Sequence, residues 1–250
     1  LHRTMDTTGA VLGPLLGLGF LSLFSGSTET KLRGLFVFAG VFGLVATLTI
    51  LLAVPKETTP PPSNPKPLSK ESFSLLLQWR TLPSTYRQFL WIALLFNIGN
   101  SSDAFLILRA QSLGFAPTEL LWLYAAFNVV EAVFGIVAGR LSDRAGRLPL
   151  IITGYFVFAC VYGGMAIAGN RATVVGLFLL YGVYYTLTQG VQKAFVADLA
   201  SPNQRGTQIG AYHTVVGLVL LPASLIAGQL FSLNPSYPFY FGGVTALLST

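Results

Sequence analysis

The chain has 250 residues, 53% of them hydrophobic and only 10% charged, with a formal net charge of +6. A soluble domain carries about a quarter charged residues, so this composition excludes a soluble globular fold. The basic residues lie in loops between apolar spans rather than on one face, which argues against nucleic-acid binding, and the single cysteine, Cys160, rules out a disulfide framework.

A helix needs about 20 apolar residues to cross the hydrocarbon core. Seven stretches meet this: 7–24, 35–54, 89–108, 120–139, 148–168, 174–196 and 209–231. An eighth begins at Pro238 and stops at Thr250. Backbone polar groups cannot stay open in lipid, so the spans are expected to be helices. The ten-residue alternation of a membrane barrel is absent from the sequence. The chain starts without a methionine and its last span is short, so it is read as a fragment cut at both ends.

Between the second and third spans, residues 55–86 hold seven of the chain's 14 prolines, including Pro60-Pro61-Pro62. Such a run favours an extended, solvated linker. Phe73, Leu76, Leu77 and Arg80 recur at helical spacing, so its second part is either a short amphipathic helix on the membrane surface or an unstructured tether. The start of the chain and residues 55–88, 139–148 and 193–206 carry 11 of the 15 Lys and Arg residues, against Lys31, Arg33, Arg109 and Arg171 on the other side. The first group is therefore expected to face the cytoplasm.

The fourth and fifth spans are joined by Gly139-Arg140-Leu141-Ser142-Asp143-Arg144-Ala145-Gly146-Arg147-Leu148, expected to be a tight charged turn at the membrane edge. Gly139, Asp143, Arg144, Gly146 and Arg147 resemble the signature loop of the major facilitator superfamily; Leu148 stands where a second basic residue is usual. The resemblance implies an all-α membrane transporter of two six-helix bundles joined by a long cytoplasmic linker. Four spans precede the loop and the linker lies two spans before it, so the visible spans correspond to helices five to twelve. The implied division is residues 1–54 for the end of the first bundle, 55–86 for the linker, and 87–250 for the second bundle. An internal echo agrees with parallel repeats: Gly9 and Pro14 align with Gly217 and Pro222 at a constant offset.

Gly9, Gly13, Pro14 and Gly17 resemble the helix-five motif of the superfamily's drug:proton antiporters, although Leu18 interrupts its final glycine pair. Close helix packing through small residues explains the same pattern. In the family, the aspartate of the signature loop, here Asp143, meets the positive N-terminal end of a helix in the other bundle and acts as a latch. That partner would lie near residues 7–9, with Arg140, Arg144 or Arg147 screening the charge. The alternative is a solvated loop that sets orientation only.

Polar groups inside spans are costly unless they face a cavity or a partner. Asn97, Asn100, Ser101 and Asp103 fall on the third span, Asn128 and Glu131 one helical turn apart on the fourth. Tyr181, Tyr184, Tyr185, Thr188, Gln189 and Gln192 form one stripe on the sixth. The stripe either lines a transport cavity or seals a helix interface. Glu131, close to mid-span, is the expected proton-coupling residue, with Asp103 farther out; the alternative is a permanently neutral Glu131. His213 is read as an interfacial packing residue, and Arg109 as a partner of Asp103 or Glu119 in an outer gate. The sequence offers no catalytic triad, metal-ligand spacing, P-loop or dinucleotide fingerprint, so neither an enzyme nor a metal or organic cofactor is expected. The resulting expectation is a monomeric, multi-pass secondary transporter of the bacterial cytoplasmic membrane, exporting a small molecule in exchange for protons. A proton-linked importer of a sugar, organic acid or metal chelate is the second reading, and a non-transporting membrane sensor a third.

Overall fold

The computed structural model describes residues 2–53, 82–200 and 205–250, with side chains described except at residues 2–8 and 28. The helix expected around Phe73, Leu76 and Leu77 lies outside the described residues. All secondary structure described is helical: α1 (His2–Leu23), α2 (Thr28–Ala53), α3 (Ser84–Gly99), α4 (Ala104–Ser112), α5 (Pro117–Ala145), α6 (Arg147–Ile167), α7 (Arg171–Leu199), α8 (Arg205–Leu233) and α9 (Tyr237–Leu248). Among the described residues, six spans are long and apolar enough to cross a membrane, counting α3 with α4 as one; the apolar part of α1, Gly9–Leu23, is shorter. This is the architecture of an all-α membrane protein.

Each apolar stretch falls on a helix, with two departures. The stretch 89–108 is broken at Asn100–Asp103 into α3 and α4. The charged segment 139–150, expected as a turn, is helical except for Gly146. Its φ of +91° is a conformation that only glycine adopts without strain. The chain thus reverses through one residue, while Pro149, within the first turn of α6, needs no backbone donor there.

Helix starts are set locally. Pro117 opens α5, and Glu119 Oε2 accepts the Ala116 N–H at 2.7 Å. Asn170 caps α7 by accepting the Thr173 N–H at 2.8 Å. Inside the spans, Thr153, Thr186, Thr188 and Thr214 donate their hydroxyls to carbonyls one turn back, which satisfies them without water. Pro14 and Pro222, the two prolines of the internal echo, both sit inside continuous helices.

Helices α3 and α5–α9 pack around an aromatic core. Phe96 of α3 stacks on Tyr155 of α6 at 3.8 Å between ring centroids, and Phe158 on Tyr162 at 3.9 Å. Tyr184 of α7 meets Phe158 edge-on at 4.9 Å, and Phe239 of α9 lies 5.2 Å from Tyr162. Glycines bring backbones together around these rings. At Gly182 of α7 a Cβ would stand 2.9 Å from Val130 Cβ and 3.0 Å from the Phe127 carbonyl of α5. At Gly99 it would collide with Thr245 Oγ1 of α9. Helix α1 packs against α5, and α2 touches α1 while leaving Phe36, Leu44, Leu48 and Leu52 exposed.

Candidate transport site

The break between α3 and α4 organises the polar interior. The run Gly99-Asn100-Ser101-Ser102-Asp103 supplies a glycine and short side chains that compete with helix for backbone groups. Asn100 leaves the helical region at φ −83° and ψ 76°, its N–H still bonded to the Phe96 carbonyl, and Asp103 regains helical angles as the first residue of the α4 turn. Broken spans are common where transporters bind their substrates and coupling ions, because unwound backbone is tolerated only beside a cavity or buried in protein.

On one side of the break, Asp103 Oδ1 accepts the Tyr181 hydroxyl at 2.6 Å. Tyr181 is buried, its ring 5.6 Å from that of Phe127. Beyond it, buried Arg109 does not pair with Asp103 or Glu119, contrary to expectation. Its Nε donates to the Met165 carbonyl at 3.1 Å and its Nη2 to those of Ala166 and Ala168, both at 3.3 Å. These are carbonyls that the C-terminal turn of α6 leaves without helical partners. Glu119 pairs instead with Arg171, whose guanidinium lies 4.5 Å from the Phe115 ring centre. The helix ends there are tied by two separate cation contacts rather than one acid–base gate.

On the other side of the break lies a cavity of about 220 Å³ between α3, α7 and α8. Asn97, Asn100, Gln189, Gln192, Lys193 and His213 provide its polar lining, with Phe96, Tyr184 and Tyr212 as aromatic walls. Gln192 is fixed at both ends: its amide nitrogen donates to the Tyr155 oxygen at 3.1 Å and its oxygen accepts from Tyr212 at 3.0 Å. Asn97 donates to the Ala93 carbonyl at 2.7 Å. The aromatic stripe of α7 therefore divides. Tyr181 and Thr188 are buried in helix contacts, Tyr184 is buried yet forms one wall of the cavity, Tyr185 is half-buried with its ring 5.4 Å from Phe127, and Gln189 and Gln192 reach the cavity.

Glu131 of α5 is half-buried and lies outside this cavity; Asn128, buried one turn before it, donates to the Tyr124 carbonyl at 2.7 Å. In the charged segment, Asp143, Arg140 and Arg144 are exposed, and Gly139 is half-buried with open space where a Cβ would project. Arg147 turns away from Asp143 to Asp198 at the end of α7, at 2.6 Å. Asp143 and this ion pair line one surface pocket with Phe195. The side chains of residues 7 and 8, the expected latch partners, lie outside those described. In the helix-five motif, Pro14 is half-buried, a Cβ added at Gly17 would meet Leu35 at 3.9 Å, and one added at Gly9 or Gly13 would meet nothing within 4 Å.

Sequence reasoning passed over Lys193, Tyr212 and Asp198. Lys193 sits four residues after Gln189 and so on the same helix face, a signal available in the sequence. By hydropathy and loop charge alone it reads only as a charge setting orientation. Among the described residues no cluster of histidine, cysteine or carboxylate could hold a metal ion.

The family model for the Major Facilitator Superfamily matches residues 1–220. The MFS-type transporter MJ1317 of Methanocaldococcus jannaschii is 35% identical over the whole chain, which spans 61% of that relative's length. Quinolone resistance protein NorA of Staphylococcus aureus is 23% identical over 56% of this chain and 36% of its own. The MFS-type transporter Rv1250 of Mycobacterium tuberculosis is 27% identical over 50% of this chain and 21% of its own. By this family match and the full-length likeness to MJ1317, the chain belongs to the Major Facilitator Superfamily, and its six apolar spans make it part of an integral, multi-pass membrane protein.

Proposed function

We propose that the protein is a proton-coupled secondary transporter that exports a small molecule, with the cavity between α3, α7 and α8 as part of its substrate path. The observation that carries this reading is the Asp103–Tyr181 hydrogen bond at the break, directly beside the cavity residue Asn100. A carboxylate inside a span is costly as a charge and cheap as an acid, so a change in its access to water changes its proton affinity. Substrate held at Asn100 and a proton held at Asp103 bear on the same four residues, which gives the two ligands a means of coupling. Asp103 thereby takes precedence over Glu131, which is kept as a second carboxylate on α5. Export is favoured over import by the likeness to a quinolone resistance protein. The expected setting is the bacterial cytoplasmic membrane, with a monomer as the working unit.

The test uses the full-length protein in vesicles. Asp103→Asn is expected to abolish uphill flux under a pH gradient while sparing exchange of substrate at equilibrium. Glu131→Gln is expected to keep part of the uphill flux. Loss of coupling in Glu131→Gln alone would return the role to Glu131.

A further inference from the structure

The cavity beside the break has a one-sided chemistry. Among the described residues that line it there is no carboxylate, whereas Lys193 and His213 are both present. Asn97 and Gln192 are already engaged. The side chains of Asn100, Gln189, Lys193 and His213 hydrogen-bond or ion-pair with none of the described residues. The nearest acid along α7, Asp198, is held by Arg147. What faces the cavity uncommitted is therefore an ammonium group, an imidazole and two amides. The ammonium offers only donors, and each amide supplies two N–H groups. A ligand that complements this set is negatively charged and rich in acceptors. A cation would meet Lys193 unpaired and lose affinity by repulsion. The size points the same way, since about 220 Å³ falls below the range of roughly 300–1,000 Å³ typical of drug-sized sites.

We infer that this cavity binds a small organic anion, a carboxylate or a phosphate monoester. Lys193 supplies the countercharge, Asn100 and Gln189 donate hydrogen bonds, and the Phe96 and Tyr184 rings pack against the apolar body. This names the substrate class of the site under the transport reading and rests on that reading.

The inference is tested by equilibrium binding to the full-length protein in lipid nanodiscs, at fixed pH and without a gradient. The probes are benzoate, phenyl phosphate, benzylamine and benzyl alcohol, which share a ring and differ in charge. One or both anions are expected to bind, and benzylamine and benzyl alcohol at least tenfold more weakly. The ratio of benzoate to phenyl phosphate tells which anion the site takes. Lys193→Gln is expected to weaken the preferred anion by about tenfold, in line with loss of a charged hydrogen bond, and Lys193→Arg to restore most of it. His213→Asn, at the cavity's other basic residue, is an independent variant with a smaller expected loss. Benzylamine binding as tightly as the anions, neither anion binding at millimolar concentration, or unchanged anion affinity in both Lys193→Gln and His213→Asn overturns the inference. Because no gradient is imposed, a failure of proton coupling leaves this result intact, and a failure here leaves uphill flux in vesicles as a separate measurement.

Discussion

Arg147 Nη1 lies 2.6 Å from Asp198 Oδ2, joining the first residue of α6 to the last turns of α7. Both side chains are partly exposed, so the bond adds little to stability, on the order of 0.2–1 kcal/mol. Its position matters more than its strength. Arg147 follows directly after Gly146, where the chain between α5 and α6 reverses, so the ion pair fixes the direction in which α6 leaves that turn.

Asp198→Asn is accordingly expected to leave thermal stability within about 1 kcal/mol of the parent. Turnover should fall several-fold, because the elbow loses its brace. Combining it with Arg147→Gln should cost little beyond either single change, since both remove one interaction. Exchange rates in vesicles for the two single variants and the double variant check this, and full additivity would deny the two residues a joint role.

Asp143→Asn addresses the latch separately. Its carboxylate is exposed beside this ion pair, so removing the charge should slow conformational exchange with substrate affinity unchanged. Normal turnover in a normally inserted protein would reduce the charge to a signal for orientation.

Arg109→Ala is expected to destabilise the protein by about 1–3 kcal/mol. The carbonyls of Met165, Ala166 and Ala168 lose a shared donor in a setting poor in water. Arg109→Lys should recover only part of this, because an ammonium cannot reproduce the guanidinium fork. Melting temperatures in detergent separate the three proteins, and equal values for Arg109→Ala and the parent would contradict the capping role.

At Gly182 a methyl group would press on Val130 and on the Phe127 carbonyl. Gly182→Ala should therefore cost about 1–3 kcal/mol by overpacking. Gly176→Ala on the same helix, where nothing lies within 4 Å, should be tolerated. The contrast in melting temperature between the two variants is the measurement.

The topology is open to cysteine labelling in a Cys160→Ala background, since Cys160 is itself exposed. Arg144→Cys is expected to react only from the cytoplasmic side and Asn234→Cys only from outside. Ser142, in the same charged segment, is buried and would report nothing. Reversed labelling would overturn the assigned orientation.

Span positions could be read from the sequence because hydrocarbon imposes length and apolarity on every crossing element. The break at Asn100–Asp103 was foreshadowed by its polar side chains, yet hydropathy alone ran straight through it. Whether a polar span bends depends on what stands beside it, and here Gly242 and Thr245 of α9 crowd Gly99. The cavity was half legible. Asn97, Asn100, Gln189 and Gln192 announce themselves as polar groups in apolar spans, whereas Lys193 and His213 near helix ends read as ordinary interfacial residues. Arg109 misled for a related reason. Two acids lay close in sequence, but the spare carbonyls that claim it belong to a helix ending more than fifty residues away.

The broken span has two unequal arms, 16 residues in α3 and 9 in α4, or about 24 Å and about 14 Å at 1.5 Å per residue. The longer arm is held near its inner end by the Tyr86 hydroxyl on the Gln208 carbonyl, and beside the break by the Gly99–Gly242 crossing. The shorter arm is held by Arg109 at the end of α6. Neither arm is free to swing far. Any displacement produced between Asn100 and Asp103 must be taken up by backbone torsion over those four residues, or passed on by moving α6 and α9 along with the arms. The geometry is that of a stiff coupling rather than a hinge, so that under the proposed transport reading, work done on it by a bound ligand would be delivered to the surrounding helices instead of being lost in a flexing span.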